Sequence, residues 1–108
     1  MKLPSEVFGN VVVVHAPKEV SDDTADLVER FLGTLEQHDV VFDLDGTESL
    51  DSAGLSMLLD VQESLRERNG DLKICSSNDT NRKIFEITRL DEHLELYRSV
   101  LEAVKSFA

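Results

Sequence analysis

The sequence predicts an α/β fold: one domain in which short strands alternate with helices. Three observations carry this expectation. Short apolar runs, Val11 to Val14, Val40 to Phe42 and Leu72 to Cys75, recur along the chain. Longer stretches with helical apolar spacing lie between them, and that alternation is the pattern of a parallel sheet covered by its crossovers. At 108 residues the chain has the length of a single domain, 1–108, with enough interior to need no staples.

The elements follow in order. Leu3 to Phe8 reads as an irregular edge strand, since Pro4 is tolerated only near an edge. Gly9-Asn10 turns the chain into Val11–Val14, a β-branched run suited to a buried central strand. A loop through Pro17 leads to a helix over about residues 22–37, with Ser21 to Asp23 offering caps and first-turn acids. Its inward stripe is Ala25, Val28, Phe31, Leu32 and Leu35. Val40-Val41-Phe42 is the next strand and runs into the polar string Asp43 to Ser49. After Leu50-Asp51-Ser52-Ala53-Gly54 comes the strongest amphipathic helix, with Leu55, Leu58, Leu59, Gln62 and Leu65 on one side, Met57 and Val61 flanking. Asn69-Gly70 closes it. Residues 72–75 give a strand, and 79–88 a helix with Ile84, Phe85 and Ile87 facing in. Residues 93–96 give a short last strand, before a terminal helix that buries Val100, Leu101, Val104 and Phe107.

Composition excludes several classes of function. The chain carries 11 basic and 22 acidic residues, a formal net charge of −11, which disfavours nucleic acid and anionic lipid as partners. The charge is uneven: residues 1–60 hold 13 acids and 3 bases, whereas residues 61–108 hold 9 and 8. The first half therefore favours a basic partner or a cation. The longest apolar run, Val11 to Val14, cannot cross a bilayer, and Met1 to Pro4 opens no signal peptide, so a cytoplasmic protein is expected. Cys75 is the one cysteine and reads as a core thiol. His15, His38 and His93 have no ligand spacing, so neither a metal site nor a cofactor is expected.

The chemistry concentrates at Asp51-Ser52-Ala53-Gly54. A hydroxyl in the first turn of a helix sits beside unpaired backbone N–H groups and the positive end of the helix dipole. A phosphate placed there is tolerated by the backbone, yet anything docked over it would meet new charge and bulk. Gly54 either admits a partner closely or permits tight packing of helix on sheet. No histidine is placed to activate Ser52, so a hydrolase built on it is not expected.

Val40-Val41-Phe42-Asp43-Leu44, followed by Asp51-Ser52-Ala53-Gly54-Leu55, resembles the signature of the STAS domain family, specifically the bacterial anti-sigma factor antagonists. The N-terminal strand pair, Val20, Ala25 and Val28, and Phe85-Glu86-Ile87-Thr88-Arg89-Leu90 also fit that layout. The resemblance implies a single STAS-like domain, a small mixed, mostly parallel sheet of about four to five strands flanked by about four helices, and a non-enzymatic protein-binding module. Its partners would be an anti-sigma factor, often itself a serine kinase, and a phosphatase. It implies Ser52 as the phosphoacceptor, Asp51 orienting it and Gly54 at the close-contact position. Ala53, Ser56, Ser21 and Asp22 would complete the docking surface of a monomer or weak dimer. Unphosphorylated, such a protein binds the anti-sigma factor and frees sigma; phosphorylation abolishes that binding. Lys18-Glu19-Val20-Ser21 replaces the Gly-x-Leu-Asp usual in such proteins, so the loop bordering the serine differs.

Two alternatives remain at this point. Val41-Phe42-Asp43-Leu44-Asp45-Gly46-Thr47 also resembles the first motif of magnesium-dependent haloacid-dehalogenase-like phosphatases, with Asp43 as nucleophile and Asp45 as general acid/base. Ile74 to Asn78 and Lys83 loosely match later motifs. Against it, a hairpin and a helix precede the motif, and no late acidic motif follows it. The other alternative is an unswitched scaffold subunit of a signalling complex.

Overall fold

The computed structural model describes residues 1–108. In chain order the elements are β1 (Ser5–Phe8), β2 (Val11–His15), β3 (Glu19–Val20), α1 (Ala25–Gly33), β4 (Asp39–Asp43) and β5 (Ser49–Leu50). They continue with α2 (Ser52–Glu67), β6 (Asp71–Cys75), α3 (Asp79–Ile87), a 3-10 turn (Leu90–Glu92), β7 (Leu96–Tyr97) and α4 (Val100–Lys105). The main sheet has the order β1-β2-β4-β6-β7, with β1 antiparallel to β2 and every other pair parallel. Because β2, β4, β6 and β7 step in one direction, right-handed crossovers place α1, α2 and α3 on the same face.

The strands alternate accordingly. Val12, Val14, Val40, Phe42, Leu72 and Ile74 point into the larger core with α1, α2 and Phe85 of α3. Val11, Val13, Val41 and Cys75 point the other way, where Ala103 of α4 covers them. Continuous apolar strands are thus buried on both faces, as parallel sheets require. The second face also holds Lys73, which is buried. Its Nζ donates to Ser106 Oγ at 2.8 Å, pairs with Glu95 at 3.2 Å and lies 4.2 Å from the Phe107 ring centroid. These contacts fasten the end of α4 to the sheet. Phe107 and Ala108 line a hollow with Phe8, Asn10 and Asp39, where β2 and β4 begin.

Several expectations needed correction. The first helix starts at Ala25, because Ser21 to Thr24 form a turn in which the Ser21 carbonyl accepts the Thr24 and Ala25 amides. Thr24, at the cap position, turns its hydroxyl to the Glu19 carbonyl, so no side chain caps α1. This helix ends at Gly33, leaving Phe31 and Leu35 only partly buried against the core. Ile87 and Leu101 were expected inside but are 72% and 62% exposed, and Ala103 takes the buried position on α4. The last strand is β7, at 96–97, behind the 3-10 turn. The stretches around Glu19 and Ser49, read as loop, pair in parallel as a separate two-stranded ladder, β3 with β5. No helix is long and apolar enough to cross a membrane.

Candidate functional site

The β3–β5 ladder lies beyond the carboxyl ends of β2 and β4 and delivers the chain to the start of α2. Its anchors are buried polar groups: the Thr47 hydroxyl donates to the Pro17 carbonyl at 2.8 Å, and Asn81 Nδ2 donates to the Thr47 carbonyl at 3.0 Å. The amides of Glu48 and Ser49 both reach the Lys18 carbonyl. Sequence reasoning placed Thr47 only in the phosphatase-like motif and missed Asn81, which carried no signal beyond being polar in polar surroundings.

Asp51 caps α2 from an extended backbone conformation. Its Oδ1 accepts the Gly54 amide and its Oδ2 the Asp22 amide, each at 3.0 Å. These bonds, that of Gly54 foremost, hold the carboxyl below the usual aspartate range. Ser52, the first residue of α2, is exposed, as are Ser56 and Asp22, while Ala53 is half-buried. The predicted loop-and-helix corner is therefore one surface, joined through Asp51.

Two predicted docking residues face inward instead. Ser21 is 8% exposed and builds the turn ahead of α1. Gly54 is buried, and a Cβ there would stand 2.8 Å from the Val20 carbonyl carbon and 2.9 Å from Val20 Cγ1. Its missing side chain admits the β3 backbone rather than a partner, which selects the packing reading of this glycine.

Asp43 and Asp45 are committed elsewhere. Asp43 Oδ2 lies 2.8 Å from His15 Nδ1 and its Oδ1 accepts the Asp45 amide at 3.0 Å. Asp45 Oδ1 accepts both the Ser77 amide, at 2.7 Å, and the Ser77 hydroxyl, at 3.0 Å. Both oxygens of Asp43 are thus engaged within the fold, and its residue is 9% exposed. Donor atoms of Asp43, Asp45 and Cys75 lie within 4.8 Å of one another. The Asp43 and Asp45 carboxylates there accept from Asp45 and Ser77, and burial pushes the Cys75 thiol up to about 12.

Residues 2–103 match the sequence pattern of the STAS domain. The chain belongs to the STAS domain family. A curated relative from Thermotoga neapolitana, described as a candidate anti-sigma factor antagonist, is 23% identical over 94% of both chains. The crystal structure of an anti-sigma factor antagonist from Mycobacterium paratuberculosis superposes with a TM-score of 0.85 at 26% identity, covering 97% of this chain and 92% of that one. The Bacillus cell-fate determinant SpoIIAA, solved in its phosphorylated form, superposes at 0.72 with 17% identity over 99% of this STAS domain and 100% of its own chain.

Proposed function

We propose that this STAS domain is a cytoplasmic anti-sigma factor antagonist whose binding is switched by phosphate on Ser52, without catalysis of its own. In its unphosphorylated form it binds an anti-sigma factor that is also a serine kinase, and a phosphatase restores that form. The observation that carries this reading is the exposed hydroxyl of Ser52 on the first turn of a rigidly capped helix. A SpoIIAA structure of the same fold exists in a phosphorylated form.

The physics of the corner explains how a phosphate would act. The Asp51 carboxylate already takes the Gly54 amide, so a phosphoryl group on Ser52 would add about two negative charges beside an ionised neighbour. Exposed Glu19, Asp22, Asp23 and Glu48 flank the same corner. Burying such a phosphate against a partner costs desolvation and steric fit, while the domain beneath keeps its shape. A partner that meets this rim with basic groups binds less tightly as salt rises.

The test is phosphate transfer and binding with the purified anti-sigma factor kinase of the same cell. Wild type is expected to bind, to accept one phosphate at Ser52 and then to dissociate. Ser52→Ala binds without release, and Ser52→Asp folds but does not bind. Equal binding by Ser52→Ala and Ser52→Asp, with no phosphate taken up by wild type, would refute the switch and leave an unswitched scaffold.

A further inference from the structure

His15 ends β2 with both ring nitrogens on carboxylates. Nδ1 lies 2.8 Å from Asp43 Oδ2 on β4, and Nε2 lies 2.8 Å from Glu6 Oε1 on β1. A neutral imidazole has one N–H and one lone pair, so it can donate to one ionised carboxylate and must turn its lone pair on the other. Two acceptors at this distance call for the imidazolium, with a proton on each nitrogen. We propose that His15 is a proton-operated clip, which fastens the edge strand β1 to β4 across β2 when doubly protonated and loosens β1 when it loses a proton.

The setting supports a clip. Every residue of β1 is exposed, and the strand pairs with β2 alone. Within β1 itself burial contributes little, the apolar anchor being Leu3 just ahead of it, so the Glu6 contact weighs more along the strand. The surrounding charge favours the proton. Beyond Glu6 and Asp43, Asp45 and the Cys75 thiol stand close to Asp43. Glu102 of α4 acts on Cys75 with the same sign and Arg82 with the opposite one, while Lys105 of α4 is exposed. The hydrogen bond to Glu6 is the foremost cause that raises His15 above its ordinary 6.5, against partial desolvation. A folded value above the unfolded one means the clip's contribution is complete below pH 6.5 and is lost as pH climbs through the folded value. The segment that follows, Pro17 and Lys18, supplies the carbonyls that hold Thr47, Glu48 and Ser49. The clip thus sits at the root of the loop that borders α2.

The experiment is an NMR pH titration of the isotope-labelled chain. It reads the His15 ring nitrogens together with amide-exchange protection factors at Glu6 and Phe8, whose amides alternate with that of Val7 and lie on the side of β1 that faces β2, and at His15, whose own N–H donates to the Pro4 carbonyl. The expected result is a His15 transition above 6.5, with protection of these amides falling about tenfold for each unit of that excess. Protection in β6 stays level. His15→Gln and Glu6→Gln each flatten the dependence, and Glu6→Gln, at an exposed position, keeps the test open should His15→Gln fold poorly. A His15 transition at or below 6.5, or protection of β1 that stays level through the transition, overturns the proposal.

Discussion

The carboxylate of Asp51 reaches across 29 positions of sequence to accept the Asp22 amide at 3.0 Å. With its other oxygen on Gly54, one side chain both starts α2 and ties down the turn ahead of α1. Asp51→Ala is expected to lower the thermal midpoint and to loosen the 21–24 turn, whereas Asp51→Asn, still a competent cap, retains more of both. Because folding depresses the Asp51 carboxyl, its contribution is present above the unfolded value of 3.8 and is lost as pH falls through the lower folded value. Acid titrations of stability for wild type and Asp51→Ala should therefore converge only at the acid end. Curves that stay parallel there would contradict the assignment.

Gly54→Ala tests the packing reading directly. Its new methyl meets the Val20 carbonyl, which belongs to the β3–β5 ladder and has little freedom to retreat. The expected cost is about 1–3 kcal/mol in urea unfolding. An unchanged midpoint would show that β3 yields.

Two apolar residues of α3 separate by their surroundings. Phe85 is fully buried and Ile87 is 72% exposed. Phe85→Ala is expected to cost about 3–5 kcal/mol, and Ile87→Ala no more than about 0.5 kcal/mol. Chemical denaturation of the two variants side by side checks both values. Comparable losses would mean that Ile87 is buried in solution.

Cys75 has no solvent exposure, and its thiol is pushed up to about 12 by burial and by the nearby charges of Asp43 and Asp45. At mildly alkaline pH an aromatic disulfide reagent should label it only at the rate at which the domain opens. Labelling that is fast in buffer and insensitive to stabilising conditions would contradict this.

The features legible in the sequence were those repeated over many residues. Val11 to Val14 and Val40 to Phe42 read as central strands because burial on both faces demands unbroken apolar runs. Leu55, Leu58 and Leu65 revealed α2 through a helical period sustained over four turns. The β3–β5 ladder escaped because two-residue strands leave no period, and Glu19 and Ser49 look like loop. Ile87 and Leu101 misled for a different reason: in a short helix, apolar character alone does not say which side meets the sheet. At the candidate site, Ser52 and its cap were readable from the step between strand and helix. That Gly54 and Ser21 turn inward depends on how closely β3 approaches, which no local pattern encodes. The Glu6–His15 contact was accessible in principle. The Gly9-Asn10 turn sets Phe8 opposite Val11 and Glu6 opposite Val13, which leaves His15 one same-face step beyond.

The hollow lined by Ala108, Phe8 and Asp39 lies where the parallel strands begin, whereas Ser52 follows the ladder at which they finish. These two points are opposite poles of the molecule. A dye or immobilisation handle joined after Ala108 would hang away from the Ser52 corner and leave it facing free liquid. The same handle placed at Asp22, whose amide sits on the neighbouring Asp51 carboxylate, would crowd that hydroxyl.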